Sequence, residues 1–213
     1  MKYYVIVFIK QNGKKKKNKI SNKFVINTTN GNSFYKGFET LCYALKILNE
    51  FGFSCEWLVA GISQSDLIYY ITKEKTKGDF RNQGLVLMGN LSEQDLVESL
   101  LKTDVYVTPS HIENSPNNLS EAMILGVPCI STFVGGSGSL ITDKINGLLI
   151  QSGDPWAMAG AIMEIATNDL EAIRLGQRGR EDALKRHYKE RVVTDLLSIY
   201  KEIKNGKYIA EIV

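Results

Sequence analysis

Two glutamates with seven residues between them, Glu113 and Glu121, stand in the most chemically loaded stretch of the chain, Thr103 to Gly136, TDVYVTPSHIENSPNNLSEAMILGVPCISTFVGG. An ionised carboxylate only accepts hydrogen bonds and can hold two neighbouring hydroxyls at once, so paired acids suit a ligand rich in hydroxyls. Between the two acids lies a helix-start signal, with Ser115 as N-cap and Pro116 at the first helical position, where its missing N–H costs nothing. The free N–H groups of such a start, around Asn117 and Asn118, point at the loop mouth and attract anions, phosphate above all. Glu121 then lies roughly 7 Å along the helix axis, at about 1.5 Å per residue. Phosphate flanked by acids makes sense for a sugar nucleotide, which carries ribose hydroxyls, a diphosphate and sugar hydroxyls. The plainer alternatives are a helix-start charge for Glu121 and a solvated loop acid for Glu113.

The elements that must position these residues can be read around them. Asp104 to Thr108 alternates with β-branched residues and is closed by Pro109, which predicts a strand ending just before the loop. Gly126 stops the following helix, and Cys129 to Ser131 forms the next strand. Earlier in the chain, Phe24 to Asn27, Cys55 to Ala60 and Leu85 to Met88 read as strands. Helices are expected after Lys36-Gly37 up to Gly52, from Asp66 to Lys77, and from the Ser92 cap to Leu101. Later, Leu148 to Ile150 reads as a short strand, Asp154-Pro155 starts a helix through Thr167, and two amphipathic helices run from Asp169 to Ile203. Trp156 and Met158 are expected to be packing residues, and Ile173, Leu184, Val192, Leu196, Ile199 and Ile203 are the apolar positions of the last two helices. Strands alternating with helices predict an α/β, Rossmann-like, doubly wound and mostly parallel sheet with helices on both faces. A ligand of such a sheet lies at the carboxyl ends of its strands, the edge at which Gly61, Gly89, Pro109 and Gly135-Gly136 fall.

A length of 213 residues gives room for one large domain with a well-buried core. The 44% hydrophobic and 23% charged content is that of an ordinary soluble protein, and a net charge of +3 is too slight to argue for nucleic acid. Cys42, Cys55 and Cys129 fall singly in apolar segments with no C-x-x-C pair, which points to buried, reduced thiols and a cytoplasmic location. His111 and His187 have no companion at ligand spacing, so no His-based metal site is expected. Residues 1–22 form an N-terminal strand, Tyr3 to Ile9, and a basic loop leading into the main domain at 23–213. The apolar run reaches only the short end of a signal segment, lacks a cleavage site and is far short of a membrane span. Its QNGKKKKNK sequel reads as a solvated loop, with a patch against an anionic membrane at the inner face as the sharper alternative.

The string PS-x-x-E-N-S-P-N-x-x-x-E-A-M-x-x-G-V-P from Pro109 to Pro128 resembles the donor-binding half of retaining glycosyltransferases of the group 1 family. V-G-G at Val134 to Gly136 and D-x-x-x-G-L-L-I-x-x-G-D from Asp143 to Asp154 follow in the family's order. The resemblance implies one half of the two-domain fold called GT-B, with a nucleotide-diphosphate sugar as donor and no cofactor or metal. It implies that Glu121 holds the ribose hydroxyls, that Glu113 holds the transferred sugar, and that Lys36, at the family's K-G position, contacts the diphosphate. Glu113 and Lys36 are thus the expected catalytic pair. Glu121, Ser115, Asn117, Asn118, Gly135 and Gly136 are the expected substrate-binding residues.

Two departures from the family's pattern stand out. Gly31 occupies the position, five residues before the lysine, where an arginine is usual, and Ser137-Gly138-Ser139 stands where a glutamate commonly follows the G-G. The family's acceptor domain has no stretch here to form it, so the chain is expected to be a fragment of a larger enzyme, inactive without an N-terminal acceptor domain. Peripheral membrane association would then come through the full-length protein. The transferase would serve polysaccharide or other glycan synthesis on a glycan, lipid or other acceptor. Two alternatives differ in class: a non-catalytic nucleotide-sugar-binding subunit or sensor, and a sugar-nucleotide epimerase, against which the paired-glutamate string argues.

Overall fold

The computed structural model describes residues 23–78 and 80–205. The expected strand at residues 3–9 and the basic loop after it lie outside the described residues. Six strands form one sheet: β1 (Phe24–Thr29), β2 (Cys55–Ala60), β3 (Leu85–Gly89), β4 (Val105–Thr108), β5 (Cys129–Thr132) and β6 (Leu148–Ile150). Their spatial order is β3-β2-β1-β4-β5-β6, and every neighbouring pair is parallel. The chain builds outward from β1 to β3, returns, and builds outward again from β4 to β6. The order therefore reverses between β1 and β4, whose register pairs Ile26 with Val105 and Asn27 with Tyr106. In a doubly wound sheet the loops leaving the two strands at such a reversal diverge and open a crevice at their carboxyl ends.

The helices are α1 (Phe38–Glu50), α2 (Leu67–Thr76), α3 (Glu93–Leu101), α4 (Asn117–Leu125), the single-turn α5 (Ser137–Leu140), α6 (Pro155–Thr167), α7 (Asp169–Arg186) and α8 (Lys189–Lys204). The sheet divides the core in two, because successive side chains of a strand point to opposite faces. Val105 and Val107 of β4 join Ile26, Trp57 and Val59 against α1 and α6 on one face. Tyr106, between them, joins Leu119, Met123, Ile124 and Cys129 on the other, against α3 and α4. Near-continuous apolar strands are what burial on both faces demands.

Several expected elements form at the expected places. β2 and β6 have the predicted bounds, Ser92 accepts from the Asp95 N–H to start α3, and Asp154 accepts from the N–H groups of Trp156 and Ala157 to start α6. Gly126 ends α4 in the left-handed conformation. Two expectations need correction. Ser115 is not the N-cap of α4: that position belongs to Pro116, whose ψ of 92° is not helical, so the helix begins one residue later at Asn117. Trp156 is exposed rather than packed in the core, with its ring T-shaped to that of the similarly exposed Phe51, while Met158 is fully buried as expected. The two expected last helices form, with their apolar positions Ile173, Leu184, Val192, Leu196, Ile199 and Ile203 exposed, and among the described residues α8 has none that is buried. Two short elements were not anticipated, a 3-10 turn at Phe34–Lys36 and helix α5.

Candidate functional site

The site gathers at the carboxyl ends of β1, β4 and β5. Lys36 closes the 3-10 turn that leaves β1, and Gly37 follows it in the left-handed region (φ 71°) as the N-cap of α1. A side chain at Gly37 would collide with the carbonyl oxygen of Pro109, so only glycine lets the β1 turn lie against the end of β4. The contact is extended by Tyr35, whose carbonyl accepts from the N–H groups of His111 (2.7 Å) and Ile112 (3.3 Å). The carbonyl of Lys36 in turn accepts from Asn30 Nδ2 at 3.2 Å. Two turns from different strands are thereby fixed together by backbone hydrogen bonds.

That docking brings the two residues of the expected catalytic pair into contact. Lys36 Nζ donates to Glu113 Oε2 at 2.8 Å, with side-chain exposures of 29% and 12%. The lysine also stands 5.6 Å from the centroid of the Tyr35 ring, within cation–π range. Ser110 Oγ donates to the same carboxylate oxygen at 3.2 Å. Both bonds fall on Oε2, and no donor among the described residues engages Oε1. A half-buried carboxylate held by one oxygen keeps the other for a ligand hydroxyl.

The loop that carries Glu113 is supported from β5. Gly136 donates its N–H to the Asn114 carbonyl at 2.8 Å, and Gly135, at φ 47°, lies so close that a side chain there would strike the Glu113 carbonyl oxygen. The glycine pair expected to bind substrate thus underlies the Glu113 loop, with the Gly136 N–H used by Asn114. Beyond it, Asn117 is exposed and Asn118 half-buried in the first turn of α4, and no side chain caps that turn. A helix start without a side-chain cap keeps its N–H groups for water or an anion. Ser115 is exposed in the loop before it.

Glu121, the second of the paired acids, belongs to α4 itself. It lies in the second turn of α4 and is only 3% exposed. The phenol of Tyr106 on the neighbouring β4 is pushed well above its ordinary range, chiefly by burial, with the Glu121 charge among the smaller causes. Lys36 and Glu113 are thus in contact, and the loop that carries Glu113 leads into the helix on which Glu121 is buried. At Gly31, the departure from the pattern noted in the sequence, a side chain would meet nothing within 4 Å, so the position is sterically open.

Four contributing residues escaped sequence reasoning. Ser110, His111, Thr132 and Ser152 knit the ends of β4, β5 and β6 together. Thr132 Oγ1 donates to the Ser110 carbonyl at 2.6 Å, Ser152 Oγ reaches the same carbonyl at 3.4 Å, and His111 Nδ1 lies 3.1 Å from Ser152 Oγ. The only sequence signal for any of them was the place of Ser110 beside Pro109 in the P-S-x-x-E string. Among the described residues no group of three or more His, Cys, Asp or Glu could hold a metal ion, and no helix is long and apolar enough to cross a membrane.

This fold and these loops have known counterparts. The C-terminal domain of the glycosyl transferase group 1 family protein LpcC from Francisella tularensis superposes with a TM-score of 0.68 at 21% identity, covering 80% of this chain and 89% of that one. Anabaena HepE, solved in complex with UDP-glucose, gives a TM-score of 0.72 at 19% identity, covering 91% of this chain and 52% of that chain. These likenesses identify the architecture as one Rossmann-like half of the GT-B fold, of the C-terminal kind. By sequence, the chain is 33% identical over 122 residues to the N-acetyl-alpha-D-glucosaminyl L-malate synthase of Bacillus anthracis, covering 55% of this chain and 32% of the relative. The chain spans about a third to two fifths of the first curated relatives it matches, at 32%, 34% and 42% of their lengths. Residues 9–182 match the family of glycosyl transferases group 1, and that span contains every residue of the site; the chain belongs to that family.

Proposed function

We propose that the chain is the donor-binding part of a retaining glycosyltransferase that takes a sugar from a nucleotide-diphosphate sugar. The transfer would go to an acceptor held by an N-terminal domain of the same enzyme, in the cytoplasm. The observation that best supports this reading is the meeting of Lys36 and Glu113 at 2.8 Å, where the sheet order reverses, beside a helix start that no side chain caps. An ammonium and free N–H groups suit a diphosphate, and a carboxylate with one open oxygen suits a sugar hydroxyl.

In this reading the Lys36 ammonium and the N–H groups of Asn117 and Asn118 receive the diphosphate, Glu121 the ribose hydroxyls and Glu113 the transferred sugar. When the glycosyl–phosphate bond breaks, its electron pair goes to the departing diphosphate, which gains charge. Preorganised donors then stabilise the transition state more than the ground state. A cation about 4 Å from that charge gains about 4 kcal/mol at an effective dielectric near 20, before desolvation, which is enough to dispense with a metal. Glu113 would also stabilise positive charge developing at the anomeric carbon.

The test is calorimetric titration of the purified chain with UDP, GDP and ADP, and then with the glucose or mannose conjugate of whichever binds. UDP comes first because HepE has been solved with UDP-glucose. Selective binding, weakened about ten-fold or more by Glu121→Ala and by Lys36→Ala with the melting temperature preserved, is the expected result. Unchanged affinity in both variants would sink the assignment. A non-catalytic nucleotide-sugar-binding subunit is the second reading, favoured by Gly31 at the position where an arginine is usual in the family.

A further inference from the structure

The Lys36–Glu113 pair raises a problem for the reading just given, on which this inference rests. If Lys36 turns to the diphosphate, Glu113 loses one of the two donors on Oε2 at the moment when its aim at the sugar matters. The other donor is Ser110. Its hydroxyl reaches Oε2 at 3.2 Å from a residue only 2% exposed, so its rotamer is restricted by packing. Its backbone is anchored from a second strand, because the fully buried Thr132 at the end of β5 donates to the Ser110 carbonyl at 2.6 Å. Ser152, just past the end of β6, adds a longer bond to the same carbonyl at 3.4 Å. A short, buried side chain held from two neighbouring strands moves little when a ligand enters, whereas the longer and more exposed Lys36 is free to swing.

We propose that Ser110 is a positioning residue for the sugar-facing carboxylate. It keeps Oε2 of Glu113 fixed while Lys36 is given over to the diphosphate, so that Oε1 stays directed at a sugar hydroxyl. Ser110 touches neither sugar nor nucleotide and acts only through Glu113. The quantity it controls is therefore the gain in affinity that the sugar adds to the nucleotide, and not the affinity for the nucleotide itself.

The experiment compares binding of UDP and UDP-glucose, or of GDP and GDP-mannose if guanine is preferred, to the full chain and to Ser110→Ala, Glu113→Ala and the double variant. Ser110→Ala is expected to leave nucleotide affinity within about two-fold and to cut the sugar's contribution about ten-fold, the scale of one hydrogen bond to a charged group. In the Glu113→Ala background the same substitution should change nothing further, because the two residues act as a unit. If Ser110→Ala lowers both affinities together, or costs as much without Glu113 as with it, the serine is merely structural and the proposal is overturned. Should Ser110→Ala melt too early to titrate, Ser110→Cys keeps a side chain of similar shape, slightly larger and with a weaker donor, and must show the same selective loss. Failure of the unsubstituted chain to bind any nucleotide would count against the donor-site reading itself. A sugar contribution that is present and survives Ser110→Ala at full size would remove only the positioning role.

Discussion

Glu113 and Lys36 occupy each other at 2.8 Å, so in the proposed reading a diphosphate would compete with that carboxylate for the ammonium. The pair is partly exposed, so its own worth is small, up to about 1 kcal/mol. Glu113→Gln removes the competing charge while keeping the shape. The expected outcome is a rise of about two- to five-fold in affinity for the nucleotide diphosphate alone, together with loss of the sugar's added affinity. Titration with UDP and UDP-glucose reads both; a fall in UDP affinity would mean that Glu113 helps to seat the phosphates instead of competing for their cation. At this scale the sequence was legible where a residue's chemistry announces itself. Two carboxylates and a lysine are conspicuous, and the structure brings two of the three together. Ser110 was not legible, because a serine between a proline and a loop looks like any other loop serine until its carboxylate partner is located.

At the scale of elements, the glycine pair after β5 carries the Glu113 loop. Gly135→Ala would force a left-handed φ on an L side chain and drive its Cβ into the Glu113 carbonyl. The expected result is a destabilisation of about 1–3 kcal/mol, seen as a lower melting temperature, together with weakened binding of the sugar conjugate as the Glu113 loop is displaced. A variant that melts and binds like the parent would show that the loop can shift freely. Most elements could be read in advance because their signals are local. β2 is an apolar run closed by glycine, and α6 begins with Asp154-Pro155, in which one residue caps and the next has the helical φ already set. The start of α4 could not be placed by the same logic. Ser115-Pro116 is a plausible start by composition, but the preceding loop is tied down by Gly136 and by the Lys36 pair, and Pro116 takes ψ 92° to join that loop to the helix. Tertiary contacts decided the boundary, and they leave no local trace. The 3-10 turn at Phe34–Lys36 was invisible for a similar reason, since its place is set by the docking of Tyr35 on His111 and Ile112.

At the scale of the whole molecule, the two half-cores hold three free thiols, Cys42, Cys55 and Cys129, and the Tyr106 phenol. Burial raises all four acids, most simply Cys129, where it is the only cause, and Cys55 is moved from 9.0 to about 11 despite an opposing effect from Lys23. A raised acid is protonated more readily in the folded chain than in the unfolded one. Its stabilising share is complete below the ordinary thiol value near 9 and is lost as the pH climbs through the folded value. Unfolding free energies from urea titration should therefore hold steady up to about pH 8 and fall between about pH 9 and 11, by roughly 1 kcal/mol per thiol for each pH unit in that window, and the midpoint should fall with them. A midpoint that stays flat to pH 11 would show that the thiols ionise without unfolding the sheet.

Helix α8 stands outside this arrangement, since it buries none of its side chains in the described chain. Its 16 residues sit near the length at which an isolated peptide is only marginally helical in water. A helix of that length draws little stability from propensity alone, so what holds it is whatever packs on its apolar side chains.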